Sequence, residues 1–135
     1  MDDTRGTNSQ GSLAPSDVYV LLTRAGYTYI DVRDADEFEE GRPAGALNFP
    51  FATNEPARFV DAIRSRFHAN SKLVVGCNSG KRSKLAAQAL VENGFQSIVL
   101  CRTGWDGTRG IFGELIEPGW RRTGLPTENG SPTRS

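Results

Sequence analysis

Cys77 stands where an apolar run, Leu73-Val74-Val75-Gly76, gives way to the polar segment Asn78-Ser79-Gly80-Lys81-Arg82-Ser83. "KLAAQALVENG" follows, with Asn93-Gly94 as a helix stop. A chain that turns from a strand into a helix over so few residues can point successive backbone N–H groups inward as an anion-binding nest. The helix adds free N–H groups and its positive dipole end. Gly80 permits the positive φ such a turn needs. Lys81 and Arg82 place two positive charges at the rim. A cysteine in that setting favours the thiolate and can act as a nucleophile. The loop is therefore suited to forming and holding an anionic cysteine adduct. Without a histidine nearby in sequence, Ser79 and Ser83 read as loop and N-cap hydrogen-bonding residues rather than nucleophiles.

Composition narrows the alternatives. The chain has two cysteines and one histidine, one short of the four ligands of a Cys/His zinc site, so no metal is expected. His68, in "RSRFHAN", follows a probable surface helix and reads as an end-of-helix residue rather than a catalytic base. Two cysteines in 135 residues do not make a disulfide scaffold; free thiols in a reducing compartment are the expectation. Sixteen basic residues balance sixteen acidic ones, so the field of a nucleic-acid binder is absent. No apolar run approaches the roughly 18 residues of a membrane span. The start, "MDDTRGTNSQGSLAPS", has neither a secretory h-region nor the acid-poor character of a transit peptide. The expected location is cytoplasmic, or an organelle matrix or stroma if a presequence was removed.

The elements that must position the loop alternate between two periodicities. Val18, Leu21, Leu22 and Ala25 recur at helical spacing after Pro15 and before Gly26. "YTYIDVR", "KLVV" and "SIVL" are short strand candidates. "DADEFEEG" reads as an acidic helical turn or two, and "RPAGALNFPF" as a loop into a short edge segment confined by Pro50. "EPARFVDAIRSRF" makes a helix with Phe59, Val60, Ile63 and Phe67 on its core stripe, and the helix after Cys77 is expected to bury Leu85, Ala86, Ala89 and Leu90. The alternation predicts an α/β domain with a mostly parallel sheet of about five strands and helices on both faces. Residues 1–14 and 127–135 are polar and expected to be disordered, leaving one domain over 15–126.

Several segments, in order, resemble the rhodanese homology domain, the single-domain thiosulfate sulfurtransferases. "YIDVRDADEFEEGRPAGALNFP" is similar to the family's first signature, "VVGCNSGKRS" to its active-site loop, "AAQALVENGFQSIVL" to the following helix and strand, and "TGW" and "WRRTGLP" to its closing elements. The likeness spans about residues 15 to 126. It implies the rhodanese-like three-layer fold. It also implies that Cys77 takes a sulfane sulfur from an anionic donor such as thiosulfate, becomes a persulfide, and passes the sulfur to cyanide or a thiol, thioredoxin or glutathione among them. Backbone N–H groups from Asn78, Ser79, Gly80, Lys81 and Arg82 would hold the persulfide, and Lys81 and Arg82 would bind the donor. No cofactor is implied. Four residues separate Cys77 from Arg82. The related cell-cycle phosphatases have one more, and the shorter loop suits a sulfur adduct; arsenate reduction or phosphatase activity on the same fold is the alternative, beside a non-catalytic persulfide carrier or regulatory module.

Two departures from the family pattern stand out. Gly41-Arg42-Pro43 replaces the usual Gly-His-Ile, so local packing must differ. Trp105 and Trp120 are separated by an insertion over 106–119, expected to hold at most one short helix, to leave the sheet at the Cys77 end and to shape access for donor or acceptor. Asp31 and Arg33 read as an ion pair or backbone clamp supporting the loops. Cys101 reads as a buried thiol, with a resolving-thiol role toward Cys77 as the alternative. Balanced charge and no evident exposed apolar stripe make a monomer the default.

Overall fold

The computed structural model describes residues 10–131. The strands β1 (Gln10–Leu13), β2 (Thr28–Asp31), β4 (Leu47–Asn48), β5 (Lys72–Gly76) and β6 (Ser97–Cys101) form one parallel sheet in the order β1-β6-β5-β2-β4. Four helices, α1 (Pro15–Arg24), α2 (Ala35–Glu40), α3 (Pro56–Arg64) and α4 (Lys81–Glu92), cover its two faces. The α/β expectation of about five parallel strands between two helical layers is met.

Period-two alternation along the central strands divides the core in two. Ile30, Leu73, Val75 and Ile98 face α3 and α4, together with Phe59, Val60, Ile63, Ala86 and Leu90. Tyr29, Val74, Val99 and Cys101 face the other way, onto Val18 of α1, Phe38 of α2 and Trp120. The helix after Cys77 buries Ala87 where Leu85 was expected; Leu85 is 48% exposed. Leu85 and Ala87 lie two positions apart on a helix and so point in widely different directions, and the sheet selects the alanine side for close packing.

Both termini depart from the disorder expectation where they are described. Gln10–Leu13 is the edge strand β1, registered in parallel with Ile98–Cys101. Its polar sequence hid it, because an edge strand is held mainly by backbone hydrogen bonds on one side. At the other end, β9 (Thr127–Glu128) pairs antiparallel with β3 (Arg42–Pro43). Residues 1–9 and 132–135 lie outside the described residues. The Arg42 departure explains the ordered tail. The buried Arg42 guanidinium lies 4.3 Å from the Phe38 ring and donates to the carbonyl oxygens of Phe38 and Gly130, at 3.0 and 2.7 Å.

The insertion contains no helix. It folds as an antiparallel hairpin of β7 (Gly107–Arg109) and β8 (Leu115–Pro118), followed by a 3-10 turn at Trp120–Arg122. Its apolar residues face outward: Ile111 is 91% and Phe112 88% exposed, with Ile116 and Leu115 also open. The premise of the monomer expectation, a surface without an apolar stripe, therefore does not hold at the hairpin.

Candidate active site

The last residue of β5, Gly76, is a glycine because the backbone there passes directly over a side chain: a Cβ on Gly76 would collide with the buried Tyr29 hydroxyl. Cys77 is the next residue, at the C-terminal end of a central strand, where open parallel sheets place their reactive groups. Its side chain is 2% exposed and belongs to the core under α3 and α4.

The loop closes around the sulfur. The Gly80 N–H donates to Cys77 Sγ at 3.0 Å, and the Ser83 hydroxyl lies 3.3 Å from it. Gly80 holds φ at 103°, and a Cβ there would lie 2.6 Å from the Arg102 carbonyl oxygen. Both its conformation and its space thus require glycine. The outer side of the loop is tied to the segment after β6. Trp105 N–H donates to the Cys77 carbonyl at 2.8 Å, and Asp106 N–H to the Asn78 carbonyl at 2.9 Å. With those carbonyls held outward, the opposite edges of the loop peptides are left for the interior. Lys81 begins α4, so the first N–H groups of that helix, which have no intrahelical acceptor, add to the cradle.

Two expected site residues take different parts from those anticipated. Ser83 is not the N-cap; Gly80 holds that position, and Ser83 lies fully buried in the first turn with its hydroxyl between Cys77 Sγ and the Gly80 carbonyl. Arg82 does not project as a free donor-binding fork. It forms two hydrogen bonds with Glu37, at 3.1 and 3.2 Å. The Arg82 hydrogen bond lowers the pKa of Glu37, and Glu37 in turn raises that of Arg82. Glu37 also accepts the Asp34 N–H at the start of α2. Arg82 therefore braces the head of α4 against α2, leaving Lys81, exposed at the rim, as the loop's less committed charge.

Asp31 and Arg33 form the clamp expected of them. Both are 2% exposed. Arg33 Nη2 meets Asp31 Oδ2 at 2.7 Å and donates to the Gly41 carbonyl, with its guanidinium 5.4 Å from the Trp105 ring. Asn48, Glu37 and Tyr29 escaped the sequence reading. Asn48 donates to the carbonyls of Asp31 and Arg33, securing the same corner. The pairing of Glu37 with Arg82 spans 45 positions, a separation that local pattern does not reveal.

Cys101 lies on the opposite face of the sheet from Cys77, among Val18, Tyr29 and Trp120. Burial pushes its thiol up to about 11, against the smaller pull of a Tyr29 hydrogen bond. A thiol held protonated, with the sheet between it and Cys77, is a poor resolving partner. Among the described residues no group of three or more His, Cys, Asp or Glu side chains is placed to hold a metal.

A nucleophile-type cysteine at a strand end, an N–H cradle and a cation-rich helix start agree with one family. Residues 14–110 match the model of the rhodanese-like domain. The chain belongs to the rhodanese-like family. It is 31% identical over 130 residues to thiosulfate sulfurtransferase 16, chloroplastic, of Arabidopsis thaliana, covering 89% of this chain and 98% of the relative. It is 30% identical over 117 residues to thiosulfate sulfurtransferase GlpE of Actinobacillus pleuropneumoniae, covering 86% and 91%. The crystal structure of Rv0390 from M. tuberculosis superposes with a TM-score of 0.72 at 25% identity, covering 89% of this chain and 98% of that one. The rhodanese relatives identify a sulfurtransferase in general terms. The second strand of the hairpin, β8, lies beyond the matched residues, and the hairpin is tied to the cysteine loop where the Asp106 N–H meets the Asn78 carbonyl. No helix among the described residues is long and apolar enough to cross a membrane.

Proposed function

We propose that the protein transfers a sulfane sulfur from thiosulfate to cyanide or a thiol through a persulfide on Cys77. The hydrogen bond from the Gly80 N–H to Cys77 Sγ carries this reading. It aims a main-chain donor at the sulfur that carries the charge of the attacking thiolate. In the first step the Cys77 thiolate attacks the outer sulfur of thiosulfate. The sulfur–sulfur bond of the donor breaks, and sulfite leaves with its electron pair. Cys77 then carries a terminal, negatively charged sulfur in a cradle of N–H groups. In the second step cyanide attacks that sulfur, thiocyanate departs, and the bonding pair returns to Cys77. The exchange is redox-balanced within itself and needs no cofactor. A covalent intermediate between two half-reactions gives ping-pong kinetics.

Lys81 attracts the anionic donor and Ser83 supports the sulfur from below. Asn78 and Ser79 shape the loop. Arg82, Asp31 and Arg33 hold its surroundings in place. The Glu37 contact also speaks against a phosphatase, because the arginine that would clamp a phosphate is already engaged by a carboxylate. The purified chain is expected to form thiocyanate from thiosulfate and cyanide, and Cys77→Ser to form none. Undiminished turnover in that variant would remove the reading.

A further inference from the structure

Three backbone segments lie against one another behind the cysteine loop, and Asp106 stands in the middle one. Glycine lets them approach. A Cβ on Gly104 would collide with the Cys77 carbonyl, and one on Gly119 with the backbone between Trp105 and Gly107. Every polar group of Asp106 joins these layers. Its N–H donates to the Asn78 carbonyl at 2.9 Å, and its carbonyl accepts the Gly119 N–H at 3.2 Å and Arg122 Nε at 3.1 Å. One oxygen of its carboxylate accepts Arg121 Nε at 2.9 Å and Arg122 Nη2 at 3.0 Å. The other accepts Arg109 Nη2 at 3.2 Å. Burial acts against the charge, but the bonds from Arg121, Arg109 and Arg122 prevail and take the Asp106 pKa down to about 2. The carboxylate is therefore ionised throughout the neutral range.

One carboxylate does not neutralise three guanidinium groups, and all four side chains are partly exposed. Ion pairs in such a setting add little to stability, so a stabilising role is a poor account of the cluster. What it fixes is direction. In a trans peptide the C=O and the following N–H point opposite ways. The Asp106 N–H holds the Asn78 carbonyl outward, which turns the Ser79 N–H of the same peptide inward, beside the Gly80 N–H that meets Cys77 Sγ. We infer that Asp106 is a positioning residue, whose arginine-anchored carboxylate locks the Asn78–Ser79 peptide so that the Ser79 N–H receives the outer sulfur of the Cys77 persulfide. The inference deepens the sulfurtransferase reading above and rests on it for that sulfur.

The test is the loading equilibrium, in which the Cys77 thiolate and thiosulfate exchange with the Cys77 persulfide and sulfite. At a fixed ratio of thiosulfate to sulfite, intact mass gives the loaded fraction. Asp106→Asn keeps the size of the side chain and drops its charge. It is expected to lower the loading constant about tenfold, the worth of one hydrogen bond to a charged group. Arg121→Gln, which removes one of the three partners, should lower it about threefold, and carries the test if Asp106→Asn does not fold. Glu117→Gln breaks the hairpin's ion pair with Arg102 and leaves Asp106 intact; its constant should stay within about twofold of wild type. A lowered stability does not move this equilibrium while the chain stays folded, which melting curves check. Constants unchanged at Asp106 and Arg121, or equally lowered in Glu117→Gln, would overturn the inference. In wild type the Ser79 amide proton should shift downfield on loading, and no shift would also overturn it. If wild type gains no sulfur, it is the Cys77 reading that fails, and the lock is judged in the resting protein. Protection of the amide at position 106 against hydrogen exchange should then fall at least about tenfold in Asp106→Asn and stay within about twofold in Glu117→Gln. Equal protection in the two variants would overturn the lock.

Discussion

Cys77 follows the last residue of β5 and Cys101 is the last residue of the neighbouring parallel strand β6; both are buried, yet the fold prepares them for opposite fates. Alternation sends one sulfur toward α4 and the other toward α1 and Trp120. At Cys77 a glycine N–H and a serine hydroxyl meet the sulfur. At Cys101 burial outweighs a tyrosine contact and holds the proton on. Burial alone therefore says little about a cysteine; the donors that accompany it decide whether a negative sulfur can be held.

Exchanging the two sulfurs for oxygen tests the contrast most severely. Cys77→Ser should lower thiosulfate-to-cyanide turnover by at least about 10³-fold, as removal of a nucleophile does, whereas Cys101→Ser should retain activity within a few-fold of wild type. Equal losses would erase the distinction. Next in size is Gly80→Ala. A side chain there is strained by its positive φ and crowded by the Arg102 carbonyl at 2.6 Å. Thermal unfolding should report about 1–2 kcal/mol of lost stability, and kcat/KM should fall by more than tenfold as the N–H turns away from the sulfur. Ser83→Ala removes a hydroxyl shared between Cys77 Sγ and the Gly80 carbonyl. A loss of about 1 kcal/mol, roughly fivefold in kcat/KM, is expected, and no change would show that the backbone alone supports the sulfur.

A further effect belongs to Cys101 and appears only at alkaline pH. Its folded-state pKa is raised from 9.0 to about 11. The associated stability is fully present below about pH 9 and is lost as pH rises through 11, because the unfolded chain releases this proton first. Denaturant titrations of wild type and Cys101→Ala across that window should converge by on the order of 2 kcal/mol. A gap that stays constant from pH 8 to 11 would contradict the burial argument.

The same contrast shows what could be read in advance. Cys77, Gly80 and the helix start at Lys81 are contiguous, and their roles follow from the chemistry of a strand-to-helix turn. Asp31 and Arg33 are two residues apart, close enough for the clamp to be legible. Features that depended on distant partners were not. Arg82 finds Glu37 across 45 positions, and β1 exists only through its pairing with β6. Leu85 and Ala87 are both apolar, so periodicity left the buried face of α4 ambiguous until the sheet chose it. The hairpin hid its strands for another reason. Ile111 and Phe112 lie in solvent, against the tendency of apolar residues to mark the core from which strand patterns are read.

The central claim, that Cys77 and not Cys101 carries the sulfur, is open to one direct measurement. The protein is incubated with thiosulfate in the absence of reductant, and its intact mass and peptide masses are determined. The account predicts the gain of one sulfur atom, located on Cys77, lost on addition of cyanide and absent from Cys77→Ser. No adduct, or an adduct on Cys101, would contradict it.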